Sequence, residues 1–261
     1  MQHAHTLLKI HKPPLVRAGS CETHGAYDSL CHLRGVWLGC PACEQAEKVA
    51  SEKKKAEDLA QERAAAWQAR IGRAGIPDRF LDRSLKSFVA STHEQRVALD
   101  FAVSYAEQFE EVRRTGRSAI FIGMPGTGKT HLACGIGMHV IEHFGADVLF
   151  ITVQRAIRSV KDTWTKGAAQ SESEAVATLV GPDLLVLDEV GVQNGTDFER
   201  NTLFDVINER YERRKPTLYL SNLPKDELTT YLGARVMDRV REDGGLVVPF
   251  TWESHRGRGR L

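Results

Sequence analysis

No stretch of this chain approaches the roughly 18–20 consecutive apolar residues that a membrane-spanning helix requires, so a bilayer partner is not expected. The first residues, Met1 to Ile10, lack the sustained apolar core of a secretory leader, and the cytoplasm is the expected compartment. Net charge is missing too. The 35 Lys and Arg against 34 Asp and Glu leave +1, which excludes a uniformly polybasic nucleic-acid binder and leaves room for a local basic patch. There is no internal repeat and no low-complexity tract. What remains is globular composition, 42% hydrophobic and 26% charged over 261 residues, enough for one full α/β domain and a smaller module.

Cysteine is scarce except in one place. Of five, Cys21, Cys31, Cys40 and Cys43 crowd the N-terminal stretch and Cys134 stands alone. An odd, clustered set without an export signal points to metal binding rather than to a disulfide framework. Cys21-Glu-Thr-His24 and Cys40-Pro-Ala-Cys43 form C-x2-H-x15-C-x2-C, close to the spacing of a ribbon-type zinc site. Two such knuckles close a tetrahedron with no open position, which makes the zinc structural. Gly25, Gly35, Gly39 and Pro41 supply the turns. Cys31 is an alternative ligand, and Cys31-His32 an alternative pair. Residues 1–43 show little periodicity and are too short to fold on a hydrophobic core alone.

From Glu44 to about Arg70 the composition shifts to Ala, Glu, Lys, Gln and Arg, with opposite charges three and four apart. This predicts a solvated connector helix within 44–76, ended by Gly72, Gly75 and Pro77. Residues 77–261 then read as α/β. Apolar runs at 118–122, 148–152, 184–187, 217–220 and 246–250 predict five buried strands. Amphipathic stretches at 94–113, 129–143, 154–164 and 197–214 predict helices between them. Alternation of this kind implies a mostly parallel five-stranded sheet with helices on both faces, an αβα sandwich. Little chain follows Trp252, so no large C-terminal lid is expected, and Arg256, Arg258 and Arg260 between glycines read as a mobile basic tail.

Gly123-Met124-Pro125-Gly126-Thr127-Gly128-Lys129-Thr130 fits G-x-x-x-x-G-K-[ST], with His131 next in line, after a predicted strand and at the start of a predicted helix. Glycines let consecutive N–H groups turn toward phosphates, and the helix adds its positive end. Lys129 is expected to reach the β- and γ-phosphates of ATP, and the Thr130 hydroxyl to take a magnesium position. Asp183-Leu-Leu-Val-Leu-Asp188-Glu189 supplies the other half: Asp188 for the magnesium ion and Glu189 as the base for the attacking water. No acceptor site for a kinase is visible, so ATP hydrolysis to ADP is the expected chemistry. Thr217 to Asn222 is a strand with a polar end. Asn222 is expected beside Glu189, where it senses the γ-phosphate, or else it merely opens the turn into Pro224. Arg235 and Arg239 lie four apart on one helix face, suited either to surface ion pairs or to a trans-acting arginine.

Together these residues resemble the bacterial DnaC-type replicative helicase loaders, a branch of the AAA+ ATPases, over 77–256, about two-thirds of the chain. The segments Ile76-Pro-Asp-Arg-Phe80, GMPGTGKTHLA, ITVQRAIRSVKDTW, LLVLDEVGVQ, LSN, ARVMDRVRE and Phe250-Thr-Trp-Glu-Ser-His-Arg256 carry the resemblance. It implies that Arg239 is the arginine finger for a neighbouring subunit, and that Arg256 and Asn222 sense the subunit's own nucleotide. It also implies single-stranded DNA contact through Trp164, Thr196 and Phe198, self-association through adjacent ATPase domains, and a hexameric DnaB-type helicase as partner. Some loaders carry a zinc-containing N-terminal domain that grips the helicase; Trp37 and Leu38 are apolar beside the second knuckle, although DNA is the other possible target of this module. The alternative function is an IS21-type transposition helper ATPase acting on target DNA. A third is an adaptor that holds ATP as a structural ligand.

Overall fold

The computed structural model describes residues 15–31, 36–192 and 196–255, and it divides into two compact units within a long helix, at 64/65. Arg256, His32 and the basic tail lie outside the described residues. In the first unit, β1 (Leu15–Cys21) and β2 (Gly25–Cys31) form an antiparallel hairpin in which Cys21 pairs with Gly25 and Leu15 with Cys31. The chain then returns along β2, with the Leu38 N–H donating to the Leu30 carbonyl at 2.9 Å, and enters α1 (Pro41–Ala74).

The expected connector helix starts three residues earlier than its charged stretch, at Pro41, and ends at Ala74. Gly72 is tolerated inside it, and the turn comes at Gly75, with φ +65°. A Cβ there would lie 2.7 Å from the Phe150 carbonyl, so this close approach requires glycine. Trp67, Ile71 and Ala74 pack into the core of the second unit, which takes in the end of α1 from Ala65.

That second unit is a five-stranded sheet in the order β4-β5-β6-β3-β7, every neighbouring pair parallel. The strands are β3 (Ala119–Gly123), β4 (Val148–Thr152), β5 (Leu184–Asp188), β6 (Thr217–Ser221) and β7 (Leu246–Phe250). Side chains alternate across it. Phe121, Val186 and Leu220 enter one core with α2 (His93–Glu107), α3 (Phe109–Thr115) and α4 (Lys129–Phe144). Ile120, Leu187 and Tyr219 enter the other, with α5 (Val153–Lys161), α6 (Glu172–Val180), α7 (Asp197–Glu212), α8 (Lys225–Leu232) and α9 (Ala234–Glu242). Apolar residues on both faces of each strand produce the continuous runs seen in the sequence.

Three differences have local causes. The helix expected at 94–113 is two, divided at Gln108 where Phe109 turns fully into the core. The helix expected to reach Trp164 ends at Lys161 and tightens into a 3-10 turn over Asp162–Trp164. Helix α6 was not expected, although Ser171 and Glu174 form a capping box at its start. Arg210, 1% exposed, spans that helix and β6: it donates to the carbonyls of Leu179, Val180, Pro182 and Pro216 and to the Thr217 hydroxyl, at 2.7–3.2 Å. Its N–H groups satisfy the last carbonyls of α6, and the accepting oxygens replace water around the cation, while burial holds its pKa down to about 10.

Candidate functional site

Strands β3, β5 and β6 end side by side at Gly123, Asp188 and Ser221, so the loops after them share one rim of the sheet, the place where parallel sheets take ligands. The loop from Gly123 to Gly128 needs its glycines for two reasons. At Gly123 (φ +151°) a Cβ would lie 2.2 Å from the Phe250 carbonyl, and at Gly128 (φ +101°) 2.7 Å from the Phe88 ring. α4 starts at Lys129, so its first unpaired N–H groups face the rim.

Lys129 is only 6% exposed. Its ammonium donates to the carbonyls of Gly123 (2.6 Å) and Met124 (3.0 Å) and to Asn222 Oδ1 (2.9 Å). Asn222 therefore meets the lysine directly, and both line one cleft of about 620 Å³ with Glu189. The Thr130 hydroxyl donates to Asp188 Oδ2 at 3.1 Å, and Asp188 Oδ1 accepts the Glu189 N–H at 2.7 Å. Burial raises the pKa of Asp188, offset in part by those donors. Glu189 is exposed and sits at φ +60°, a region a non-glycine residue adopts at a cost of about 1–3 kcal/mol and keeps mainly at functional sites. Two hard oxygen groups converging beside a phosphate-type loop suit a magnesium ion.

Of the remaining loop residues, Pro125 and Gly126 line the cleft, while Met124 is exposed. Thr127 is fully buried, its hydroxyl donating to the Met124 carbonyl at 2.8 Å. His131 also lines the cleft but faces away from the glycines. Its Nε2–H donates to the Ser84 carbonyl (3.0 Å), and its ring stands edge-on to Phe88. The segment from Pro77 to Val89, absent from the expected site, forms another wall of the cleft through Arg79, Phe80 and Phe88. Its sequence signal was only Ile76-Pro-Asp-Arg-Phe80, which carries no phosphate chemistry.

The other expected residues lie elsewhere. Trp164, 58% exposed, packs on Phe198 with ring centroids 4.6 Å apart and donates from Nε1 to Glu172 at 2.8 Å. Thr196 is beside them in sequence, but its hydroxyl is committed to capping α7, accepting the Glu199 N–H at 3.3 Å. On α9, Arg235 is exposed and Arg239 is half-buried. The Arg239 guanidinium lies 4.7 Å over the Tyr211 ring, and its Nη1 is buried without a hydrogen-bond partner among the described residues. Neither arginine lines the cleft of its own chain.

In the first unit Cys21, His24, Cys40 and Cys43 bring four ligand atoms within 4.8 Å of one another. The spacings from His24 Nδ1 are 3.7 Å to Cys21, 3.7 Å to Cys40 and 3.2 Å to Cys43, with 3.5 Å between Cys21 and Cys43. Ligands at about 2.0–2.3 Å from a tetrahedral zinc stand roughly 3.5 Å apart, so the set fits. Backbone N–H groups of His24 and Thr23 hold the Cys21 thiol down to about 6, whereas its hydrogen bond to Cys21 pushes Cys43 up to about 11. Cys31 pairs with Leu15 at the far end of the hairpin, about 20 Å of strand from Gly25 at 3.3 Å per residue, and is not in the cluster.

A parallel αβα sheet carrying a strand–glycine loop–Lys-Thr–helix unit next to a strand that ends in Asp-Glu defines a P-loop protein of the AAA+ type. The family model described as IstB-like ATP binding protein matches residues 87–258. The chain is 36% identical over 196 residues to the replicative helicase loader DnaC of Escherichia coli (strain K12), covering 75% of this chain and 78% of that protein. It is 34% identical over 198 residues to the DnaC loader of Buchnera aphidicola subsp. Schizaphis graminum, covering 76% and 79%. The solved structure of a DnaC helicase loader superposes with TM-score 0.59 at 24% identity, covering 66% of this chain and 99% of that one, a likeness of fold. The chain belongs to the IstB-like ATP-binding family, in its DnaC helicase-loader branch. No helix among the described residues is long and apolar enough to cross a membrane.

Proposed function

We propose that this protein loads a hexameric, DnaB-type replicative helicase onto single-stranded DNA in the cytoplasm, and that it hydrolyses ATP as it does so. The observation that carries the reading is the 36% identity to a replicative helicase loader across 78% of that loader's length. In this reading the loop from Gly123 to Gly128 cradles the phosphates, and Lys129 turns from its carbonyl partners to the β- and γ-phosphates. Thr130 and Asp188 would hold a magnesium ion, which supplies charge neutralisation at the phosphates when bound. Glu189 takes a proton from the attacking water, and Asn222 orients the γ-phosphate end of the site. Arg256 contributes a cation to the same nucleotide, and Arg239 reaches a neighbouring subunit's nucleotide. Co-purification tests the function: the full chain with ATP is expected to retain a hexameric replicative helicase on a column and to accelerate its appearance on single-stranded DNA. Retention of a transposase instead, with no effect on helicase loading, would favour the transposition-helper reading that the IstB-like match supports.

Residues 1–43 serve as the partner-binding module, with the helix after them as connector and the ATPase domain beyond. The four-residue cluster holds one structural zinc. Elemental analysis of the purified chain should find one zinc per protein, and Cys31→Ser should leave that ratio unchanged while Cys40→Ser lowers it. A folded first unit with no metal after zinc supply would remove the site.

DNA contact in this reading is by stacking, since the formal net charge is only +1. Trp164 offers an exposed indole face already supported by Phe198. Trp164→Ala is expected to cost about 1–3 kcal/mol in single-strand affinity, read by fluorescence anisotropy. Unchanged affinity in the Trp164→Ala, Phe198→Ala double variant would shift the contact to the basic tail.

A further inference from the structure

We infer that the segment after β7, from Trp252 to His255, orients the phosphate cradle, and that it is fastened by a hydrogen bond available only while His255 is uncharged. The inference rests on the nucleotide reading above. A trans peptide is planar, with its N–H pointing opposite its C=O. Anchoring the Gly126 carbonyl therefore aims the Thr127 N–H, and anchoring the Thr127 carbonyl aims the Gly128 N–H. Both carbonyls are taken from the same side: the His255 N–H donates to Gly126 O at 3.0 Å, and Trp252 Nε1–H donates to Thr127 O at 2.9 Å. Two N–H groups of the glycine loop are thus fixed by a segment far away in sequence. Without it those peptides are free to rotate, and the cradle must be ordered when phosphate arrives.

What fastens His255 is Gln95, 3% exposed, at the start of α2. Gln95 Oε1 accepts the backbone N–H groups of Ser91 (2.6 Å) and Thr92 (3.1 Å), which fixes the amide's orientation. Its Nε2 then faces His255 Nε2 at 3.1 Å. An amide nitrogen only donates, so His255 Nε2 must accept, and the imidazole must be neutral with its proton on Nδ1. Protonation sets two donors against each other across a contact that is buried on the Gln95 side and open to solvent on the His255 side. The charged and titratable groups that line the same cleft as His255 are Arg79, Arg83, His131, Asp188, Glu189 and Lys129 at the start of α4, and those beside it on α2 and in its own segment are His93, Glu94, Arg96 and Glu253. The Lys129 ammonium is turned to Gly123, Met124 and Asn222.

The test is the affinity of the full chain for a fluorescent ADP analogue at about pH 8 and about pH 5.5, either side of the ordinary imidazole range. At the higher pH, His255→Ala is expected to bind about threefold to tenfold more weakly than wild type, the effect of one lost hydrogen bond. His255→Gln, which offers an acceptor oxygen to Gln95, should recover most of that loss and show no histidine-linked weakening at acid pH. Gln95→Glu is the discriminating variant. One oxygen of the new carboxylate keeps the two backbone donors and the other accepts from a protonated imidazole, so acid should strengthen its binding relative to wild type. The phosphate and His131 titrate alike in all four proteins, so the difference between wild type and Gln95→Glu is the readout. Matching pH profiles in those two, with His255→Ala unchanged, would overturn the inference. Failure of wild type to bind the analogue at all would instead overturn the nucleotide reading, and this inference with it.

Discussion

Glu189→Gln should bind ATP as tightly as wild type and hydrolyse it about 10²–10⁴-fold more slowly, the usual contribution of a positioned general base. The expectation comes from where the side chain stands. Asp188 is half-buried, and both its oxygens are occupied, accepting from the Thr130 hydroxyl and the Glu189 N–H. Glu189, one residue later, is thrown off the strand by its positive φ and left exposed to water at the mouth of the cleft. Gln keeps the shape and hydrogen-bonding reach and removes only the proton acceptor. Lys129→Ala should fail earlier, at binding. It takes away the one ammonium aimed between the loop carbonyls and Asn222, and it leaves three acceptors without their donor. Equilibrium binding and phosphate release, measured on both variants, separate the two roles. An undiminished rate in Glu189→Gln would take the base assignment away from this residue.

The parts of the molecule legible in the sequence are those whose chemistry is contiguous. The glycine loop, the strand ending in Asp-Glu and the five apolar runs each carry their signal within a few residues, and the doubly covered sheet turns that signal into continuous hydrophobicity. The cluster of Cys21, His24, Cys40 and Cys43 was legible for the same reason, as two knuckles of fixed spacing. What escaped is what depends on distant partners. The hairpin of β1 and β2 buries only Ser29 and Cys31 in its strands, so it has no apolar alternation to read. Arg210 draws its acceptors from 179–182 and 216–217, which only the fold brings together. Trp252 and His255 reach back across the whole domain to the glycine loop, and nothing in Phe250-Thr-Trp-Glu-Ser-His255 states that destination. The start of α6 is the exception: Ser171 and Glu174 announce a helix in the plain sequence.

Arg239→Ala should bind nucleotide about normally yet hydrolyse it about 10³–10⁵-fold more slowly in the assembled state, the range over which an arginine supplied in trans acts on the transition state. Such a residue must be absent from its own cleft, and both Arg235 and Arg239 are. Arg239 is not a bare surface side chain, however. Its guanidinium lies over Tyr211, whose hydroxyl donates to Glu242 at 2.7 Å, and reaches within 5.7 Å of Phe204. Losing that packing should cost about 1 kcal/mol of stability, a shift of a few degrees in melting temperature, so each variant is first checked for a cooperative melt. The deciding measurement mixes two inactive proteins. Arg239→Ala keeps an intact glycine loop and Lys129→Ala keeps an intact arginine, so where the second sits beside the first a complete site forms between them. Hydrolysis should reappear in the mixture, on DNA or on the helicase, and in neither protein alone. If the mixture assembles and stays inactive, Arg239 does not act between subunits, and the same mixing with Arg235→Ala, whose guanidinium is the exposed one on that helix face, becomes the test of the finger.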